Sequence, residues 1–116
     1  MGEIHFSVEV EPNSNFLNLE MAFGNEETKT KVFSNSKSIV KIGRSKNNDI
    51  VLENYAYSRI HTSFVFDKTD DCWYVQDGYD KPSTNGTWVY LDWPWKIEES
   101  MQFRIGSNFL TIRKII

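Results

Sequence analysis

Apolar and polar residues alternate along much of this chain, and this alternation limits the fold more than any other feature. It is clearest in two N-terminal segments, whose apolar members are Ile4, Phe6, Val8 and Val10 in one and Leu17, Leu19, Met21 and Phe23 in the other. A period of two puts successive side chains on opposite faces of a β-strand, so both segments are predicted to be half-buried strands. No window has the apolar stripe of an amphipathic helix.

The rest of the chain continues in short strand-like runs separated by turn residues. Further strands are expected at Lys31–Phe33, Ser38–Ile42, Asp49–Val51, His61–Phe66, Trp73–Val75, Thr87–Leu91, Phe103–Ile105 and Phe109–Lys114. Clusters of Asn, Asp, Gly, Ser or Pro mark turns at 12–15, 25–27, 47–49, 70–71, 77–78, 85–86 and 106–108. Short strands at such regular spacing predict an antiparallel sandwich or barrel. Residues 1–116 are expected to form one domain, a module of a longer protein.

Charge and cysteine content exclude several classes of function. The net charge of −3 argues against a nucleic-acid or anionic-membrane binder, because a phosphate backbone rewards a basic surface. Cys72 is the only cysteine, so no intramolecular disulfide or cysteine metal cluster is expected, which fits an intracellular compartment. No Cys, Asp or Glu lies around His61 at metal-ligand spacing, and His5 is the only other histidine, so a zinc site is not expected. No metal or other cofactor is expected, and neither a signal peptide nor a membrane helix is apparent.

Three polar motifs lie between the apolar runs and supply donors suited to a phosphate. They are Gly43-Arg44-Ser45, Ser58-Arg59-Ile60-His61 and Ser83-Thr84-Asn85-Gly86-Thr87. Arginine offers a planar fork of donors, while hydroxyls, an amide and turn N–H groups add neutral ones. Each motif alone has a simpler interpretation: Arg44 solvated at a strand end, His61 structural, and Asn85-Gly86 a hairpin turn in which both residues take positive φ. No nucleophile with its base is recognisable, so catalytic residues are not expected.

Taken together and in this order, the motifs resemble the forkhead-associated (FHA) domain. The resemblance lies in Ile42-Gly43-Arg44, Asn48-Asp49-Ile50-Val51-Leu52, Ser58-Arg59-Ile60-His61, Ser83-Thr84-Asn85-Gly86-Thr87-Trp88-Val89 and Phe103-Arg104-Ile105-Gly106. It implies an all-β sandwich of two antiparallel sheets with binding loops at one end. It also implies an intracellular signalling module that binds phosphothreonine peptides and proteins without catalysis.

The resemblance carries roles over to individual residues. By this likeness the phosphate contacts are Arg44, Ser58, Arg59 and Thr84, and Asn85 holds the peptide main chain. Gly43, His61 and Gly86 match positions that shape the binding loops rather than touch the ligand. The loop before Ser83 is long, with Gly78-Tyr79-Asp80-Lys81-Pro82 inserted, and this length bears on peptide preference.

The residue three positions after the phosphothreonine is expected to meet Ala56 and Tyr57 on one side and Asn108 on the other. The family can place an arginine where Ala56 stands, and that arginine selects an acidic partner. Without a fixed cation here, a buried carboxylate loses hydration, so an apolar or aromatic side chain is preferred. Lys81 in the inserted loop is the main cation that can reverse this preference, by moving over the position.

An alternative function remains open at the level of sequence. An FHA-like scaffold with a degenerate pocket can bind a partner independently of phosphate, through its sheet face or through Trp93 and Trp95. The simpler interpretation of the two tryptophans, that they cap the core, is favoured. A monomeric domain is expected in either case.

Overall fold

A computed structural model describes residues 4–9, 16–23 and 28–116 of the chain. In these residues the chain forms the strands β1 (Ile4–Glu9), β2 (Phe16–Phe23), β3 (Lys29–Ser34), β4 (Ile39–Gly43), β5 (Ile50–Val51), β6 (Thr62–Asp67), β7 (Cys72–Asp77), β8 (Gln102–Ile105) and β9 (Asn108–Thr111). No helix occurs in the described residues, which confirms the all-β prediction. The turns predicted at 12–15 and 25–27, and Val10, lie outside the described residues. Backbone contacts divide the chain into two compact units, Met1–Gly86 and Thr87–Ile116.

Two sheets make up the first unit. The first is antiparallel, in the order β1-β2-β3, with Leu19 of β2 opposite Val8 and Lys31. The alternation in β2 puts Leu17, Leu19 and Met21 on one face, where all three are buried. The second sheet has the order β5-β4-β6-β7, and in it β5 runs parallel to β4 rather than antiparallel. The two-residue strand β5 pairs this way because the loop after β4 turns back along the edge of that strand.

A single apolar cluster joins the two sheets into a sandwich. Its buried members are Leu17, Leu19 and Met21 from β2, Val40 and Ile42 from β4, Ile50 from β5, Leu52, and Phe64 from β6. Burying an aliphatic or phenylalanine side chain fully contributes about 1.5–3 kcal/mol. Both sheets therefore depend on the same core, as expected for a packed sandwich.

The register of the second sheet brings three loops to one end of this sandwich. Thr62, the first residue of β6, lies opposite Ile42 near the end of β4 and opposite Asp77 at the end of β7. Because these pairings are antiparallel, the segments 44–49, 52–61 and 78–86 all leave the sheet at this end. These segments carry Arg44 and Ser45, residues 58–61 and residues 83–86, so these parts of the three polar motifs lie at one end of the sandwich.

The second unit contains the hairpin β8–β9, with Phe103 opposite Leu110. Its turn uses Gly106 at φ 58°, and the Trp88 and Phe109 rings pack with centroids 5.2 Å apart. The predicted strand at 87–91 is wrong, because these residues join no hydrogen-bonded ladder. The final strand stops at Thr111 rather than reaching Lys114.

Exposure of the tryptophans corrects another expectation. Trp93 and Trp95 are 75% and 59% exposed, so they do not cap a core.

Within the described ranges the structure also has no helix that is long and apolar enough to cross a membrane.

Candidate phosphopeptide-binding site

Gly43 brings the first two binding loops into direct backbone contact. A Cβ at this position would lie 2.3 Å from the Arg59 carbonyl oxygen and 2.8 Å from that of Ser58. The Arg44 N–H donates to the Ser58 carbonyl at 3.0 Å, and the Ser45 N–H donates to the Arg59 carbonyl at 3.2 Å. Only glycine fits this approach, and the approach determines where Arg44 leaves the strand.

The Arg44 side chain is held from one side and open on the other. Its Nε donates to the Tyr57 carbonyl at 3.2 Å, and its guanidinium carbon lies 5.4 Å from the centre of the Tyr55 ring. Within the part of the chain that the structure describes, its terminal NH₂ groups have no protein acceptor. They are donors that can pair with two oxygens of one oxyanion.

Asn48 and Asp49 fasten the loop that carries Arg44. Asn48 Nδ2 donates to the carbonyls of Ser45 at 2.8 Å and Arg59 at 2.6 Å. One Asp49 oxygen accepts the Lys41 N–H at 2.8 Å, and the other lies 2.8 Å from Lys37 Nζ. Partial burial raises the pKa of the Asp49 carboxyl, but its bonds to Lys37 and the Lys41 N–H outweigh burial and lower it overall.

Ser58 and Thr84 lie side by side, although 26 positions separate them in the chain. The Thr84 N–H donates to Ser58 Oγ at 2.9 Å, and the two hydroxyl oxygens are 3.5 Å apart. Ser83 supports this contact, since its hydroxyl donates to Asp77 at 2.6 Å and accepts the Gly86 N–H at 2.9 Å. The third loop therefore presents Thr84 next to the second.

His61 links the same two loops through both ring nitrogens. Its Nδ1 accepts the Ser58 N–H at 3.1 Å, so the proton of the neutral ring is assigned to Nε2. Nε2 then donates to the Gly86 carbonyl, 2.8 Å away. The Tyr57 ring packs edge-on against the imidazole at 5.6 Å, and burial raises the pKa of the Tyr57 hydroxyl. These contacts are those of a structural histidine that shapes the loops.

Asn85 also bridges the loops, and Gly86 makes the turn possible. Asn85 Nδ2 donates to the Ala56 carbonyl at 2.9 Å, and Gly86 has φ 80°. In the described residues, positive φ outside glycine occurs at Asp71 and Ser100. The simpler interpretation of Asn85-Gly86, a hairpin turn in which both residues take positive φ, is therefore wrong.

Not every residue expected in the site joins this cluster. The Arg59 side chain is exposed, while its carbonyl is bonded twice within the loops. Tyr57 turns its ring towards the core, so it contributes its carbonyl rather than an open surface. Lys81 is exposed, and its carbonyl lies 1.9 Å from where a Cβ on Gly78 would stand. Asn108 begins β9 in the other unit.

Several residues of the site were not expected from the sequence. Tyr55 stacks on Arg44, Asn48 clamps the first loop, and Asp77 anchors Ser83. Asn48 and Asp77 belong to recognisable turn strings, but nothing in those strings shows what they bind. In the residues that the structure describes, no cluster of His, Cys, Asp and Glu is suited to a metal ion.

The comparison with family models identifies the chain as a member of the FHA domain family. The FHA domain model matches residues 40–106, more than half of the chain, and this range contains all three loops. FHA domains are in general phosphopeptide-binding modules without enzymatic activity. No curated protein and no solved structure matches the chain.

Proposed function

We propose that this domain binds proteins through a phosphorylated threonine and acts as an intracellular signalling module. The observation that carries the proposal is the convergence of Arg44, Ser58 and Thr84 at one end of the sandwich. A phosphate monoester carries about −1.5 to −2 charges at neutral pH and has three acceptor oxygens. A guanidinium edge with two hydroxyls beside it matches those acceptors in charge and number.

The roles of Arg44 and Ser58 follow from how each residue is already bonded. Arg44 uses Nε for the Tyr57 carbonyl, so its terminal NH₂ groups are assigned to the phosphate. Ser58 Oγ accepts the Thr84 N–H, which orients the serine so that its own O–H can donate to a second oxygen. Arg59 adds an exposed cation at the rim, where an ion pair contributes about 0–1 kcal/mol.

The same bonding argues for a binding module rather than an enzyme. A Ser–His nucleophile requires an imidazole nitrogen that accepts the serine hydroxyl proton. His61 instead accepts a hydrogen bond from the Ser58 backbone N–H at Nδ1, and its Nε2–H donates a hydrogen bond to the Gly86 carbonyl. Ser58 is therefore assigned to ligand binding.

A calorimetric titration with matched phosphorylated and unphosphorylated threonine peptides tests the proposal. The phosphorylated form is expected to bind, and its affinity is expected to weaken as pH falls through the second phosphate pKa near 6. Arg44→Ala is expected to cost about 2–5 kcal/mol of binding energy. Lys68→Ala removes an exposed cation in the β6–β7 turn, at the opposite end of the sheet, and serves as the matched control. Equal affinities for Arg44→Ala and wild type would contradict the assignment.

Threonine is expected to be preferred over serine at the phosphorylated position. In the family the threonine γ-methyl packs in a hollow among the binding loops, and one methyl in a snug pocket contributes about 1–3 kcal/mol. Paired phosphothreonine and phosphoserine peptides measure this difference directly. Indistinguishable dissociation constants would remove the claim.

One observation favours a second candidate, which is phosphate-independent binding of a partner protein. Trp93 and Trp95 are largely exposed, and exposed aromatic residues are enriched at protein interfaces. A partner bound in this way would be lost with Trp93→Ala and Trp95→Ala together but retained with Arg44→Ala. The opposite pattern identifies the loop site as the one that binds the partner.

A further inference from the structure

An open pocket of about 290 Å³ adjoins Arg44, the arginine assigned to the phosphate. The proposed function does not use this pocket. Its lining residues are Arg44, Lys46, Glu53, Asn54 and Tyr55. Two of these residues are cationic and one is anionic, so the pocket has an excess of positive charge. In the described part of the chain, Lys46 has no ion-pair or hydrogen-bond partner, and it is exposed.

Tyr55 is a highly exposed residue of this pocket and also contacts its arginine. The side chain is 90% exposed, and the ring centre is 5.4 Å from the Arg44 guanidinium carbon. A turn held by Asn54 presents it: Asn54 Oδ1 accepts the Ala56 N–H at 2.8 Å, and the Asn54 carbonyl accepts the Tyr57 N–H at 3.1 Å. The neighbouring Tyr57 is half-buried against the core, so a modifying enzyme can reach Tyr55 far more easily.

We propose that Tyr55 is a phosphorylation site, and that its phosphate occupies Arg44 and Lys46 and so blocks the loop site. The inference rests on the proposed function, because the site that is blocked is the phosphothreonine site. A tyrosine kinase would transfer the γ-phosphoryl group of a nucleoside triphosphate. The new bond joins phosphorus to the Tyr55 oxygen, the bond to the β-phosphate oxygen breaks, and the diphosphate leaves. The phenolic proton passes to the base of the kinase.

Electrostatics and tethering both favour capture of the new phosphate by Arg44. Phosphorylation adds about −1.5 to −2 charges to a ring that already lies over the guanidinium. Glu53 opposes this charge from the pocket wall, but Arg44 and Lys46 together outweigh it. A short flexible tether gives a group an effective concentration in the millimolar range, so a separate phosphopeptide must compete with a ligand that never diffuses away.

Calorimetry with phosphotyrosine incorporated at position 55 tests the block. Phosphothreonine peptide affinity is expected to fall at least tenfold relative to the unmodified protein. Phosphotyrosine at position 74 is the matched control, because Tyr74 is partly exposed and lies on β7 nearer the β6–β7 turn than the loop end. It is expected to leave affinity unchanged. Equal affinity for the protein phosphorylated at 55 and the unmodified protein would overturn the proposal.

A second measurement separates failure of this inference from failure of the proposed function. Phosphorus NMR follows the titration of the phosphate on Tyr55 without any peptide present. A nearby cation lowers the second phosphate pKa, so Arg44→Gln is expected to raise it by about 0.5 or more, and Lys46→Gln by a smaller amount. A pKa that neither substitution changes would overturn the inference, even if phosphothreonine peptides bind. A pKa that responds in a protein that binds no such peptide would reject only the proposed function and the block that depends on it.

Discussion

Replacing Gly43 with alanine tests whether close backbone contact builds the binding site. The added Cβ would lie 2.3 Å from the Arg59 carbonyl oxygen and 2.8 Å from both the Arg59 carbonyl carbon and the Ser58 carbonyl oxygen. All three atoms belong to the backbone, so no side-chain rotation relieves the overlap. Segment 58–59 must retreat by roughly 1 Å to restore ordinary van der Waals contact. The two loop hydrogen bonds, now 3.0 Å and 3.2 Å long, would then stretch beyond bonding range.

The expected cost combines these losses. Two lost hydrogen bonds contribute about 0.5–1.5 kcal/mol each, and overpacking adds about 1–3 kcal/mol. The lower entropy of an unfolded chain with alanine returns up to about 1 kcal/mol, since no positive φ is recorded for Gly43. The free energy of unfolding is therefore expected to fall by roughly 1–6 kcal/mol, measured by urea denaturation with linear extrapolation.

Gly106→Ala is the matched control, because its cost comes from backbone conformation and not from steric overlap. Nothing lies within 4 Å of the added Cβ, but φ is 58°, so the cost is conformational strain of about 1 kcal/mol. If Gly43→Ala unfolds at the wild-type urea concentration, or costs less than Gly106→Ala, the steric argument fails. Phosphopeptide affinity should fall further in Gly43→Ala than in Gly106→Ala.

Three further predictions concern loop bonding, acid stability and peptide preference. Asn85→Ala should weaken phosphopeptide binding with little loss of thermal stability, whereas Gly86→Val, at φ 80°, should lower the melting temperature. A melting temperature that falls as far in Asn85→Ala as in Gly86→Val would make Asn85 mainly structural. Asp49→Asn should cost about 1–2 kcal/mol at neutral pH. Because the native pKa of Asp49 is lowered, this contribution is complete above the unfolded pKa of about 4 and disappears as pH falls through the native value, so melts of the variant and wild type should converge in acid. A peptide array should favour apolar or aromatic residues three positions after the phosphothreonine, near Ala56; enrichment of Asp or Glu that Lys81→Ala abolishes would show that the lysine supplies the missing charge.

Alternation and turn composition were sufficient to predict most strands, because each depends only on neighbouring residues. Leu17, Leu19 and Met21 are buried on one face, as their spacing predicts. The strand expected at 87–91 does not form, because neighbouring residues alone do not make a strand. A strand also needs a hydrogen-bonded partner, and apolar residues do not specify one; Val89 and Tyr90 are exposed instead.

For the site, residue types alone show which chemical groups are present and in what order: one arginine after a strand, two hydroxyl residues on later loops, and no recognisable nucleophile with its base. Which of these groups meet depends on the three-dimensional fold. The register of β4, β6 and β7 brings the three loops to one end, and there Thr84 bonds Ser58 and His61 uses both nitrogens to hold the loops. The contact of Tyr55 with Arg44 could not be predicted from residue types either. Residue types determine the local preference for a strand or a turn. A contact between distant residues depends instead on strand register and on the path of the loops, because the whole core determines both.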